Sequence, residues 1–371
     1  MRPSLEYGLV FFIAAAVTFL LTPVIRVVAT RWGAMAQPRD RDVHAIPTPR
    51  LGGVAMYAGI AAALLVAHLM PTLQQTYAQG SETTAVLVAG GIICLVGVVD
   101  DRWQMDALTK LAGQVFAAGV MVLLGVQLLQ FYVPFGHVGT ITFARNDSVP
   151  LTLLFCVVSI NAINFIDGLD GLAAGVSGIA ALAFFAYSYH LAKQGYIDVA
   201  FAPTLLSAVL AGACLGFLPH NFAPARIFMG DSGSMLVGLM LAASAVTATT
   251  GADPQGFGNT LGQLPLFLPL LPLVVLAIPL VDLILAVTRR VKAGRSPFAP
   301  DKMHLHHRLL EIGHSHRRAV LIIYFWSALL AGGGVAMSIT DGPLPVLSVV
   351  GVLAALALLV SNIPRLRTDR R

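Results

Sequence analysis

Apolar runs close to the ~20 residues needed to cross a bilayer recur along the whole chain. Eleven can be placed, at about 5–29, 51–71, 83–99, 107–126, 150–166, 171–190, 198–218, 233–250, 264–288, 319–339 and 344–362. Backbone N–H and C=O groups find no partners in lipid, so such segments have to be helices. Their alternation with short polar loops predicts an all-α polytopic membrane protein, a bundle of about eleven transmembrane helices. The first run follows only Arg2 and continues unbroken to about Val28. That is longer than the core of a signal peptide, so an uncleaved first helix is expected. Span nine carries Pro265, Pro269, Pro272 and Pro279. Proline removes a backbone donor and bends helices, which either opens a lipid-facing groove or is absorbed in ordinary packing.

Composition closes off alternatives. Of 371 residues, 57% are hydrophobic and only 11% charged, with a mean hydropathy of +0.81. A soluble domain carries about 25% charged residues, so residues 1–371 read as one integral-membrane domain. The net charge of +5 is not a nucleic-acid footprint. Of the 23 Lys and Arg residues, only Arg2, Arg145 and Lys193 fall on the face opposite the rest. By the positive-inside rule the N-terminus is outside and the C-terminus cytoplasmic, as expected for a multi-pass protein of a bacterial cytoplasmic membrane in contact with its lipids. Cys94, Cys156 and Cys214 lie within the spans and form neither a disulfide nor a zinc framework. Among the outer loops, 127–149 has Val133, Val138, Ile141 and Phe143 around Gly136 and Gly139, a pattern that suits a small hairpin.

The polar residues then fall on one face. Asp100, Asp101 and Asp106 end the third span, and Asn164, Asp167 and Asp170 separate the fifth from the sixth. Asn221 and Asp231 precede the eighth, while Asp301, His304, His306 and His307 lie between the ninth and tenth. Every one of these clusters is predicted to face the cytoplasm. Paired acids beside lipid repel one another unless a cation neutralises them, and carboxylates at a helix C-terminus also oppose the macrodipole.

Each cluster has an ordinary reading as well. Asp100 and Asp101 could be a solvated helix end. The glycines after Asp167 and Asp170 could make a plain turn, although they also let a ligand approach the backbone. Asp231 and Ser232 are good N-caps, but they also stand where a helix start binds anions. The run His304-Leu305-His306-His307, flanked by Lys302 and Arg308, fits diphosphate better than zinc, for which no completing ligands are found. His314 and His316 are expected to be surface residues. Hard carboxylates without soft ligands point to Mg²⁺, with Mn²⁺ as the alternative. Mg²⁺ commonly combines one or two carboxylates with substrate phosphates. Phosphoryl transfer to a lipid substrate follows as the expected chemistry.

Five segments in order, PRLGG at 49–53, VVDDRWQMD at 98–106, NAINFIDGLDGLAAG at 161–175, FMGDSGS at 228–234 and HLHHRL at 304–309, resemble the polyprenyl-phosphate N-acetylhexosamine-1-phosphate transferase family (glycosyltransferase family 4). The resemblance spans essentially the whole chain. It implies transfer of a sugar-1-phosphate from a UDP-sugar to undecaprenyl or decaprenyl phosphate with release of UMP, and it leaves a homodimer open. It also implies that Asp100 and Asp101 are catalytic and that Asp231 binds magnesium, with the aspartate pair as further candidate ligands. By the same resemblance Asn164, Asp167, Gly168, Leu169, Asp170, Asn221 and Phe228 line the nucleotide pocket, and His304, His306, His307 and Arg308 handle the diphosphate. PRLGG and the split His-x-His-His favour the UDP-N-acetylglucosamine branch over the muramyl-pentapeptide branch. The lysine which that second branch carries upstream has its nearest counterpart here in His44 or Arg50. Two rivals differ in chemistry. A CDP-alcohol phosphotransferase needs an Ala-Arg two residues after Asp-Gly, whereas Asp170-Gly171 is followed by Leu172-Ala173-Ala174-Gly175. A secondary transporter keeps its coupling acids near the bilayer midplane, and the acids here sit at the inner ends.

Overall fold

The computed structural model describes residues 3–36, 47–133, 139–195, 197, 201–251, 277–292, 294, 309–310, 313–340 and 343–362. His44, Asp301, Lys302, His304, His306, His307 and Arg308 lie outside the described residues, as does 264–276 of the ninth predicted span.

A helix lies on each of the eleven apolar runs. They are α1 (Pro3–Trp32), α2 (Gly52–Ala67), α4 (Glu82–Trp103), α5 (Ala107–Leu123), α6 (Arg145–Ile166), α7 (Leu172–Lys193), α8 (Ala202–Asn221), α9 (Gly230–Gly251), α10 (Ala277–Lys292), α11 (His316–Ile339) and α12 (Pro343–Asn362). A short α3 (Gln74–Gln79) precedes α4. Among the described residues, seven helices are long and apolar enough to cross a membrane, and the chain is a multi-pass membrane protein. Two small antiparallel pairs interrupt the helical pattern. β1 (Met35–Ala36) pairs with β2 (Thr48–Pro49), placing Met35 opposite Pro49. β3 (Gln130–Val133) pairs with β4 (Gly139–Thr142), with Gln130 opposite Thr142, which is the hairpin expected in 127–149.

The helices are arranged around α9, which packs against α2, α4, α6 and α8. In its most apolar stretch 94% of residues are buried within the protein, against 22% for α1. This contrast explains the sequences. α9 is built from small residues such as Gly238, Ala242, Ala243 and Ala245, all of them buried. α1 instead keeps Leu5, Phe12, Leu20 and Val24 on its outer side, where lipid rather than water receives them. The site is built at the N-terminal end of α9, the most buried of the seven long apolar helices.

Away from that end, the buried carboxylate of Glu6 in α1 accepts the N–H groups of Thr72 at 3.0 Å and Leu73 at 3.1 Å, and the Thr72 hydroxyl at 3.0 Å. A buried acid thus receives three donors, the condition under which burial is tolerated.

Candidate functional site

The last turn of α4 meets the first turn of α9. Asp101 is buried, and its two oxygens accept the Asp231 N–H at 2.9 Å and the Ser232 N–H at 3.1 Å. These are amides that a helix start leaves unsatisfied. Asp101 is therefore a cap supplied from another helix, and its charge lies where the helix dipole favours a negative group. Gly97, one turn earlier on the same face of α4, makes the approach close enough. A Cβ there would stand 2.3 Å from the Ser232 Cα and 2.6 Å from the Asp231 carbonyl carbon. Gly97→Ala should push α4 away from α9 and draw Asp101 off its two amides. Overpacking of this kind costs about 1–3 kcal/mol. The expected result is a lower melting temperature in detergent with activity falling in parallel, and unchanged melting would contradict the close contact.

Asp100 turns to the other side of the pair. Its Oδ1 accepts the Met105 N–H at 2.7 Å, and its Oδ2 lies 3.0 Å from Lys110 Nζ. The same ammonium contacts Asp231 Oδ1, so Lys110 bridges the α4 carboxylate and the α9 carboxylate. Asn164 Nδ2 donates to that Asp231 oxygen as well, and to Ser234 Oγ at 2.8 Å. One layer deeper, Asn161 Nδ2 donates to Gln114 Oε1 at 2.7 Å, and Gln114 Nε2 points at Met235 Sδ at 3.5 Å. Lys110 and Gln114 are four apart on α5, and Asn161 and Asn164 three apart on α6, so each pair shares a helix face. This buried polar column fixes the orientation of Asp231.

The turn between α6 and α7 carries Asp167, Gly168, Leu169 and Asp170. Asp167 is half-buried and Gly168 exposed, whereas Leu169 and Asp170 are buried. Burial first, and then the negative charges of Asp231 and Asp101, push the Asp167 pKa up to about 8, against the opposing pull of Arg50. The folded state therefore holds this proton more tightly than the unfolded chain does. The resulting stability is fully present below the unfolded value near 4 and is lost as pH rises through about 8. Asp167→Asn should accordingly melt at a higher temperature than the wild type at pH 9, with a clearly smaller gap at pH 6. An equal gap at both pH values would contradict this crowding of charge.

Asp170 and Asn221 hold the backbone rather than face outward. Asp170 Oδ2 accepts the Ala225 N–H at 2.9 Å. Asn221 is buried, accepts the Gly171 N–H at 3.0 Å and donates to the Ile227 carbonyl at 3.0 Å. Phe228 sits beside the PRLGG segment. Its N–H donates to the Pro49 carbonyl at 2.8 Å, and its carbonyl accepts the Gly52 N–H at 3.1 Å. Gly53 then donates to the Met229 carbonyl at 3.0 Å, and a Cβ on Gly53 would stand 2.1 Å from the Gly233 nitrogen. PRLGG is thus a clamp on the entry to α9, and it carries half-buried Arg50 to the same side as Asp167.

Three expectations change. Asp106 does not join the acidic cluster. It is the exposed N-cap of α5, accepting the Leu108 and Thr109 N–H groups at 3.0 Å, and hydrogen bonding from Thr109 lowers its pKa. His314 is buried, and His316 is partly buried with its Nε2 3.1 Å from the Asp170 N–H. Neither is the surface residue expected, because α11 packs on α7 and brings its first turn over the loop. Three contributors were not foreseen. They are Lys110, the Arg290 guanidinium lying over the Phe165 ring at 5.1 Å, and Tyr324, whose hydroxyl donates to the Gly171 carbonyl. For Lys110 and Gln114 a signal did exist, since two polar residues four apart face inward from an otherwise apolar helix.

Asp231 and Asp167 carry hard oxygens and lie near enough for the charge of the first to raise the pKa of the second. Among the described residues no three His, Cys, Asp or Glu side chains gather closely enough to enclose a metal ion. Asp231 and Asp167 could supply the one or two carboxylates with which Mg²⁺ is commonly held beside substrate phosphates and water. Asp101 fits that role least, since both of its oxygens are directed at the α9 amides.

With this geometry in hand, comparison with known proteins narrows the chemistry. Residues 83–249 match glycosyl transferase family 4. The chain is 50% identical over 368 residues, 98% of its length and 90% of the relative's, to a decaprenyl-phosphate N-acetylglucosaminephosphotransferase of Mycolicibacterium smegmatis. It is 34% identical to a probable undecaprenyl-phosphate N-acetylglucosaminyl 1-phosphate transferase of Bacillus subtilis, covering 85% of this chain and 80% of that one. It is 30% identical to an undecaprenyl-phosphate alpha-N-acetylglucosaminyl 1-phosphate transferase of Yersinia pestis, covering 90% and 84%.

Proposed function

The chain belongs to glycosyl transferase family 4, among the polyprenyl-phosphate N-acetylhexosamine-1-phosphate transferases, and we propose that it moves N-acetylglucosamine-1-phosphate from UDP-N-acetylglucosamine to a polyprenyl phosphate, releasing UMP. The observation that carries this reading is the half-identity, over nearly the full length of both chains, to relatives named for that transfer. The Asp100–Lys110–Asp231 constellation at an enclosed helix end supports it.

In the proposed reaction an oxygen of the lipid phosphate forms a bond to the β-phosphorus of the UDP-sugar. The bond from that phosphorus to the bridging oxygen breaks, and UMP leaves with the electron pair. Mg²⁺, when bound, neutralises the diphosphate and makes its phosphorus more electrophilic. Asp231 would hold the ion, with Asp167 as the second carboxylate. Asp100, held in place by the Lys110 ammonium and the Met105 amide, orients the lipid phosphate and takes its remaining proton. Lys110 keeps Asp100 and Asp231 at a fixed separation. The loop from Asp167 to Gly171 and Phe228 receive the nucleoside, and His304, His306, His307 and Arg308 receive the diphosphate, as the family resemblance implies. The positive-inside bias supports a site on the cytoplasmic side of a bacterial cytoplasmic membrane, where a soluble nucleotide sugar and a lipid phosphate can meet.

The test uses purified protein in detergent with UDP-N-acetylglucosamine and decaprenyl phosphate. UMP and a lipid heavier by one N-acetylhexosamine phosphate should appear in equal amounts, and chelation of divalent cations should stop both. Release of UMP without lipid, or no release at all, would overturn the proposal.

A further inference from the structure

The first turns of α11 grip the nucleotide loop, a role the mechanism above does not use. His316 Nε2 accepts the Asp170 N–H at 3.1 Å. The Tyr324 hydroxyl, about two turns further along α11, donates to the Gly171 carbonyl. Between them, Arg317 Nε donates to the Ala223 carbonyl at 3.0 Å, on the segment whose Ala225 amide is already tied to Asp170. Asn221 completes the hold by accepting the Gly171 N–H. Two successive residues of the loop thus have backbone groups fixed from α8 on one side and α11 on the other.

The same end of α11 continues directly from the histidine run. Leu309 and Leu310 pack against the core. Gly313, at φ +100°, donates to the Leu310 carbonyl at 2.9 Å, and His314 donates to the Leu309 carbonyl at 3.2 Å. That is a glycine-terminated helical turn, and it leads into Ser315 and α11. Eight residues separate His307 from His316, and the described ones are held by these contacts.

From these contacts we infer that the start of α11 is a latch on the nucleotide loop, with His316 and Tyr324 as positioning residues for the nucleotide-sugar donor. The inference rests on the proposed transferase function only for the identity of the donor. The physical argument is one of preorganisation. A loop that must order itself on binding loses part of its binding energy to that ordering, whereas a loop already held does not. The acceptor lipid, oriented by Asp100 at the end of α4, touches none of these bonds, so the latch should affect the donor alone.

The test compares His316→Ala, His316→Gln and Tyr324→Phe with the wild type in the full-length protein. Gln offers an amide oxygen that can replace Nε2 as the acceptor, whereas Ala cannot. One hydrogen bond lost or kept corresponds to roughly three- to tenfold in affinity. His316→Ala should raise the KM for UDP-N-acetylglucosamine by about that factor, with the KM for decaprenyl phosphate unchanged. Gln should recover most of the loss, and Tyr324→Phe should give a donor-only effect of similar size. Amide hydrogen exchange over 167–175 should speed up in His316→Ala, which reads the latch whatever the protein's substrate. Donor and acceptor KM rising together, or exchange over that loop unchanged in His316→Ala, would overturn the latch. Absence of UMP release by the wild type would instead overturn the transferase reading, and the exchange measurement would still decide the latch.

Discussion

Asp231→Asn is expected to lower the turnover of UDP-N-acetylglucosamine by roughly 10³-fold while leaving the fold intact, since metal-assisted charge stabilisation is worth several kcal/mol and each 1.36 kcal/mol is tenfold. An asparagine keeps an oxygen for the Asn164 amide and the Lys110 ammonium, which both meet Asp231 Oδ1. What it loses is the negative charge on the carboxylate best placed to hold a cation. Losing that charge weakens the pair with Lys110 while relieving repulsion with the neighbouring carboxylates, so the melting temperature should change little. Measuring kcat and thermal melting on the same preparation checks both halves. A variant that melts early and is inactive would show that Asp231 serves the fold, and one that turns over near the wild-type rate would remove it from the site.

Lys110→Met should be costly in both respects. Removing one partner of a buried ion pair costs about 3–5 kcal/mol. Because the Lys110 side chain is 19% exposed, a loss near the low end, about 3 kcal/mol, is expected. Two carboxylates then face each other with nothing described between them, and Asp231 loses its fixed orientation. Turnover should fall at least about a hundredfold, as when a preorganised charged group is removed from a transition state. The double variant Lys110→Met/Asp100→Asn separates the two effects. Stability should return in part, because one of the two unpaired charges is gone and Asp231 no longer faces a second one, and turnover should not. If the double variant were as unstable as the single one, the bridge would not be what holds these residues.

Much of this was legible in the chain because lipid allows so few solutions. Among the described residues each long apolar run is helical, since nothing else satisfies a backbone without water. The inward-facing acids could be recognised as a group because carboxylates are costly beside a membrane. What could not be read was the direction in which each acid points. Asp100 and Asp101 are adjacent and alike, yet one faces an ammonium and the other caps a helix more than a hundred residues away in sequence. Only the approach of α4 to α9 at Gly97 decides between them. Asn221 looked like a pocket residue and holds two backbones together. His316 looked like a surface residue because its partner, the Asp170 amide, lies 146 positions away. Tertiary pairing of this kind leaves no local period or spacing behind. The family resemblance brought the motifs together, and the structure shows which of their side chains are taken up in holding backbone, Asp101, Asp170 and Asn221 among them.

The central claim is that this end of the bundle transfers N-acetylglucosamine-1-phosphate to a lipid phosphate. The most direct measurement supplies purified protein and decaprenyl phosphate with UDP-N-acetylglucosamine in one reaction and the muramyl-pentapeptide nucleotide in another, and follows UMP. UMP release from the first donor, with none above background from the second, is the predicted result. Release from the muramyl donor alone would contradict it.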